Sequence, residues 1–262
     1  MLLDAGRPRP AFSRLYTFRV AHTTTYELEG RVAVVTGASR GIGLAIAEAL
    51  ASHGCSVVIT GRSMASLESA AKELAVYDTR VAPHECDIRN EASVQRLFAF
   101  IEDEFGRLDF LVNNAGVYGP AVAIGEVDPA GWRDAIDTNL TGTFLCTRYG
   151  LPLMKAGSVI VNNISVVAYQ VFPNSAAYIA SKMGALGLTN ATREDVRKLG
   201  IRVMALIPGA TDTEIWSQFW PEAPRQKMVQ PKEVATAVVC ALMLPAGTSV
   251  DEIRITPTGG TL

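Results

Sequence analysis

Three side chains in the middle of the chain have types and a spacing that could move a proton. Lys182 follows Tyr178 by four residues, and Ser165 precedes Tyr178 by thirteen. Positions four apart on a helix share a face, so a phenol and an ammonium would stand side by side. A free phenol, with a pKa of about 10, is a poor acid or base near neutral pH. A neighbouring cation stabilises the phenolate and makes Tyr178 usable as a general acid or base. The Ser165 hydroxyl can then hold a substrate oxygen and stabilise charge developing on it. Tyr-x-x-x-Lys alone is a common pattern and carries little weight without its surroundings.

A second group of residues suits a dinucleotide. Thr36-Gly37-Ala38-Ser39-Arg40-Gly41-Ile42-Gly43 follows the apolar run Val32-Ala33-Val34-Val35 and leads into helical periodicity. A strand, glycine turn and helix in succession aim backbone N–H groups and the positive helix end at a pyrophosphate. The spacing is GxxxGxG rather than the commoner GxGxxG, and Gly37, Ser39, Arg40, Gly41, Ile42 and Gly43 become candidate contacts. The second apolar run ends at Thr60-Gly61-Arg62, with no acid between Ser56 and Leu67. An acid there would bind ribose hydroxyls, whereas an arginine accommodates a 2′-phosphate. Arg62, with Arg40, therefore favours NADP(H), the alternative being two solvated surface arginines. Asp87 either accepts from an adenine amino group or caps a helix. Asn114, Ala115 and Gly116 follow the fourth run, where a ligand crevice is expected at the carboxyl ends of the strands.

The elements that must position these residues alternate regularly from Leu28 onward. Strands are expected at 31–36, 56–60, 80–85, 110–113, 158–164, 201–207 and 252–255, and helices at 43–52, 65–75, 91–105, 132–154, 176–198 and 231–243. This alternation predicts an α/β fold: a Rossmann-like, doubly wound parallel sheet with helices on both faces, as one domain over 26–262. Residues 1–25 stand apart, with Arg7, Arg9, Arg14 and Arg19 against a single acid, Asp4. They read as a transit peptide, a disordered arm or an upstream start codon.

Composition narrows the function classes. At 262 residues the chain has room for one sizeable domain, and 48% hydrophobic against 19% charged residues excludes a disordered or fibrous class. A net charge of −2 gives no reason to expect nucleic acid or an anionic membrane as partner. The apolar stretch 235–245 is too short to span a bilayer. Cys55, Cys86, Cys146 and Cys240 are widely separated, as are His22, His53 and His84. The expectation is free thiols in a reducing, cytoplasmic compartment and no metal site.

Taken together, the glycine turn, Asn113-Asn114-Ala115-Gly116, the lone Asn139, Ser165, Tyr178-Ile179-Ala180-Ser181-Lys182 and Pro208-Gly209 resemble, in order and spacing, the short-chain dehydrogenase/reductase family. The resemblance covers residues 26–262 and implies a proton relay. Tyr178 would be the acid/base, Ser165 would orient the carbonyl, and Lys182 would bind the nicotinamide ribose and tune Tyr178. Asn139 would help hold a water. Pro208, Gly209, Thr211 and Thr213 would pack on the nicotinamide carboxamide. Val166 stands where many members have a second serine, which leaves Ser165 in register with Tyr178. The implied reaction moves a hydride between NADP(H) and a small-molecule ketone, aldehyde or secondary alcohol. A 3-oxoacyl-carrier-protein reductase and a non-catalytic dinucleotide sensor are the alternatives. The carrier-protein reading needs a basic patch, for which Arg148, Lys155 and Arg193 are few. Aromatic residues Trp216, Phe219, Trp220, Tyr169 and Phe172 either form an apolar lid or pack on the chain itself. The long apolar helices around 132–154 and 176–198 imply a homodimer or homotetramer, since family members pair these between subunits.

Overall fold

The computed structural model describes residues 28–218 and 220–260, so the segment 1–25 and Phe219 lie outside the described residues. Seven parallel strands form one sheet in the order β3-β2-β1-β4-β5-β6-β7. These are β1 (Val32–Thr36), β2 (Ser56–Gly61), β3 (Val81–Glu85), β4 (Phe110–Asn113), β5 (Val159–Asn163), β6 (Arg202–Pro208) and β7 (Glu252–Ile255). The main helices are α1 (Gly41–Ser52), α2 (Met64–Leu74), α3 (Glu91–Phe105), α4 (Pro129–Ile136), α5 (Gly142–Gly150), α6 (Ala176–Val196) and α7 (Pro231–Leu242).

All five residues of β1 are buried because helices cover both faces of the sheet. Ala33 and Val35 face a core shared with Ile46 and Leu50 of α1, Leu67 of α2 and Val238 of α7. Val34 faces the opposite core, with Leu97 and Ile101 of α3 and Leu145 of α5. Local signals set the helix ends. Asn90 accepts the Ser93 N–H at the start of α3, and Asp128 accepts those of Ala130 and Gly131 before Pro129 opens α4.

The winding direction reverses between β1 and β4, and a crevice opens there at the carboxyl ends of the strands. Asp109 fixes this junction at its far end: one oxygen accepts the Val32 N–H, and the other takes Arg31 and Arg107.

One expected helix is not continuous. The stretch expected as 132–154 begins at Pro129, opens into a wider π-helical turn at Asp137–Thr141, and ends as α5 with a short 3-10 turn at Leu151–Leu153. Apolar periodicity does not register the one-residue change in hydrogen-bonding frame that makes a π turn.

Candidate active site

One cleft of about 540 Å³ runs along the carboxyl ends of the strands, within the size range of small-molecule sites. Its floor is the turn between β1 and α1. Gly37 there has φ +64°, and a Cβ on it would sit 2.7 Å from Ala115 Cα. Only glycine takes this conformation freely and allows the β4 loop so close. Asn114 ties the two segments together by donating from Nδ2 to Thr36 O (2.9 Å) and Gly37 O (3.2 Å). The Asn114 and Ala115 N–H groups both donate to Thr36 Oγ1, and Asn163 Nδ2 donates to Asn114 Oδ1 at 2.8 Å. Three strand ends are thereby locked in one polar network; Thr36 was read only as the first residue of the glycine turn, and the linking roles of Thr36 and Asn163 were not anticipated.

Tyr178 and Lys182 lie one turn apart on α6, and Ser165 follows the end of β5; all three line the cleft. Lys182 is 5% exposed, and its Nζ donates to Asn163 O at 2.7 Å. Burial pulls its pKa down to about 8. Burial also pushes the Tyr178 phenol up to about 12, against a hydrogen bond from Ser165 that pulls it the other way. This differs from the expectation that Lys182 depresses the phenol: burial is the largest influence on Tyr178, the neighbouring Tyr118 phenol adds to it, and only the Ser165 hydrogen bond opposes it. Tyr118, unread in the sequence, stacks on the Tyr178 ring with centroids 4.8 Å apart. Its hydroxyl sits 2.6 Å from Ser175 Oγ.

Asn139 sits in the π-helical turn and is 1% exposed. Its side chain clamps Val117, accepting that residue's N–H at Oδ1 and donating to its carbonyl from Nδ2. Nδ2 also donates to Ser181 Oγ, and the backbone carbonyl accepts the Thr143 hydroxyl. The side chain thus holds the loop after β4 against α6.

The remaining candidates, Ser39, Arg40, Gly41, Ile42, Arg62, Asp87, Asn114 to Gly116, Pro208, Gly209, Thr211 and Thr213, line the same cleft; Gly43 packs beneath it against Asn114. Asp87 does not cap α3, since Asn90 does; its carboxylate is gripped by Arg89, which holds its pKa low. Arg89 also reaches Asp134 at 2.5 Å. Arg62 remains at the end of β2 with no acid beside it in sequence, whereas Arg40 is paired with Glu214 at 2.5 Å. Trp216, Trp220 and Phe172 line the cleft. Tyr169 does not: its hydroxyl donates to Glu252 Oε1, and Arg254 lies over its ring at 4.3 Å. Arg225, another residue the sequence did not single out, pins the loop after β6 through Asp212 Oδ1 and Thr213 O. Among the described residues, no helix is long and apolar enough to cross a membrane and no cluster of side chains could hold a metal ion.

A sequence model of the short chain dehydrogenase family matches residues 31–224. The chain belongs to that family. An uncharacterized oxidoreductase of Staphylococcus saprophyticus is 35% identical over 238 residues, covering 88% of this chain and 99% of that protein. Among solved structures, an alcohol dehydrogenase from the archaeon Thermococcus sibiricus, complexed with 5-hydroxy-NADP, is similar at a TM-score of 0.82 and 31% identity, covering 88% of this chain and 98% of that one. A metagenomic short-chain oxidoreductase in complex with NADP is similar at a TM-score of 0.78 and 30% identity, covering 88% and 99%. As a member of the family, the chain is an oxidoreductase.

Proposed function

We propose that this chain is an NADP(H)-dependent reductase or dehydrogenase acting between a ketone or aldehyde and the corresponding alcohol, with one catalytic domain over 26–262. The observation that carries the reading is the convergence of Tyr178, Ser165 and Lys182 on a cleft that also contains the glycine turn. The residues present fit the cofactor. Gly37, Ser39, Gly41 and Ile42 line the cleft at the start of α1, where backbone N–H groups suit a pyrophosphate. Gly43 beneath them lets the helix pack so close that a Cβ would fall 2.5 Å from Gly37 O. Arg62 closes the β2 end with a guanidinium suited to a 2′-phosphate, and Asp87 stands near the adenine end. Lys182 Nζ spends one hydrogen bond on Asn163 O and has further donors for ribose hydroxyls. Two similar structures carry NADP or a derivative of it, which supports the same choice here.

When bound, the nicotinamide supplies or accepts the hydride. Tyr178 Oη gives its proton to the carbonyl oxygen during reduction and takes one back during oxidation. The Ser165 hydroxyl holds that oxygen and stabilises its developing charge. Lys182 steadies the phenolate through the exchange, and Asn139 keeps the loop carrying Val117 in place. Trp216, Trp220 and Phe172 give the substrate end an apolar wall, favouring a medium-sized apolar or aromatic ketone, aldehyde or 3-oxoacyl thioester. The carrier-protein reading loses support because Arg193 is spent on Val203 O and Asp251 O.

The test is titration with NADPH and NADH, followed by turnover on a panel of ketones, aldehydes and 3-oxoacyl thioesters. Preferential NADPH binding with turnover lost in Tyr178→Phe is expected. Binding without turnover on any carbonyl would instead indicate a dinucleotide sensor.

A further inference from the structure

Glu214 is out of character with its surroundings. It lines the cleft that the glycine turn and Arg62 equip for a polyanion, yet it brings a carboxylate there. That carboxylate lies 2.5 Å from Arg40 Nη1, joining two residues 174 apart in sequence. Arg40 belongs to the turn after β1, and Glu214 to the loop after β6. The two segments approach at a second point, where a Cβ on Gly41 would lie 3.3 Å from Thr213 Cγ2. Beyond Glu214 the same loop carries Trp216, whose indole donates to Thr211 O at 2.8 Å and packs edge-on against Trp220 at 6.1 Å. The clasp therefore connects the cofactor end of the cleft to its aromatic substrate wall.

The bond is easily exchanged. Its side chains are 64% and 68% exposed, and ion pairs in such positions contribute little. A phosphate monoester carries about −1.5 to −2 charge and three acceptor oxygens, a better partner for a guanidinium fork than one exposed carboxylate. We propose that Glu214 is an internal stand-in for the cofactor's 2′-phosphate: it occupies Arg40, the phosphate must displace it, and displacement frees the β6–α7 loop from the glycine turn. This rests on the NADP(H) reading above and makes Glu214 a determinant of cofactor preference that acts through Arg40.

The experiment compares the full chain with Glu214→Gln, Arg40→Gln and the double variant, measuring dissociation constants for NADPH and NADH by calorimetry. Glu214→Gln is expected to bind NADPH about two- to fivefold tighter with NADH unchanged, the size of a lost exposed ion pair. That gain disappears in the Arg40→Gln background. In the unmodified chain, adenosine 2′,5′-bisphosphate changes tryptophan emission, whereas adenosine 5′-monophosphate does not. Equal tightening of NADPH and NADH, or a gain that survives in Arg40→Gln, would mean that Glu214 only repels phosphate directly. No change on Glu214→Gln in a chain that prefers NADPH overturns the clasp and leaves the function standing. Tryptophan emission unmoved by the bisphosphate overturns the freeing of the loop. A chain with no preference for NADPH overturns the cofactor reading itself, and the clasp with it.

Discussion

Lys182 should weaken the fold at neutral pH, and the effect can be separated from everything else by its pH dependence. Its pKa falls from 10.5 to about 8 through burial alone. At 1.36 kcal/mol per decade, that gap corresponds to about 3 kcal/mol spent on holding the ammonium in the folded chain. The unfolded chain keeps its proton up to pH 10.5, while the folded chain releases it from about 8. Between those values the unfolded state binds more protons, so stability rises with pH. Lys182→Met removes this rise. It also leaves Asn163 O without its donor, a loss of about 1–3 kcal/mol that does not vary with pH. Urea denaturation of both proteins from pH 7 to pH 10 isolates the titrating part. The variant should lose about 2–3 kcal/mol relative to the parent across that range. The buried cysteines, also raised by desolvation, cancel in the difference. Stabilities that stay parallel from pH 7 to pH 10 would show that the ammonium is not desolvated, and the reasoning about the site would fail with it.

Gly43→Ala should destabilise the chain by about 2 kcal/mol despite the better helix propensity of alanine. The new methyl would meet Asn114 Nδ2 at 2.4 Å and Gly37 O at 2.5 Å, so NADPH affinity should fall at least tenfold in the same titrations. Asn139→Ala leaves Val117 N–H, Val117 O and Ser181 Oγ without their partner and should cost about 3 kcal/mol, seen as a Tm lower by about 10 °C. Sedimentation at micromolar concentration should give a dimer or tetramer, since Trp132, Phe144 and Met183 are all more than a third exposed on α4, α5 and α6; a monomer would remove that expectation.

The fold was legible because apolar runs such as Val32-Ala33-Val34-Val35 and Val159-Ile160-Val161 alternate with helical stretches from Leu28 onward. The caps Asn90, Asp128 and Pro129 went unused, and the helix opened by Pro129 was expected to start only at 132. The spacing of Tyr178, Lys182 and Ser165 was legible for the same reason, as each is tied to the end of a regular element. What escaped was pairing across long sequence separations. Nothing near Arg40 announces Glu214, and nothing near Arg89 announces Asp134, which it grips together with Asp87. The π turn around Asn139 changes the direction of one side chain without changing the apolar pattern. Thr36 and Asn163 look like ordinary strand residues until the sheet order brings their ends together. The desolvation of Tyr178 was invisible too, because the sequence names its neighbours but not how tightly they close around it.

That desolvation carries a consequence for direction. With its phenol pushed up to about 12, Tyr178 holds its proton throughout the physiological range. Reduction of a carbonyl needs the protonated phenol, so kcat/KM for reduction should be flat from pH 6 to pH 8. Above pH 8 it should decline as Lys182 loses its charge. Oxidation of an alcohol needs the phenolate, whose share grows about tenfold for each pH unit below the phenol's own value. The kcat/KM for oxidation should therefore still be rising at pH 9, while reduction has begun to fall. Lys182→Arg keeps the cation at high pH and should extend the flat region for reduction upward. An oxidation profile that levels off below pH 7 would place the phenol far below 12. Tyr178 would then be governed by a nearby positive charge rather than by burial, and the chain would be built equally for either direction.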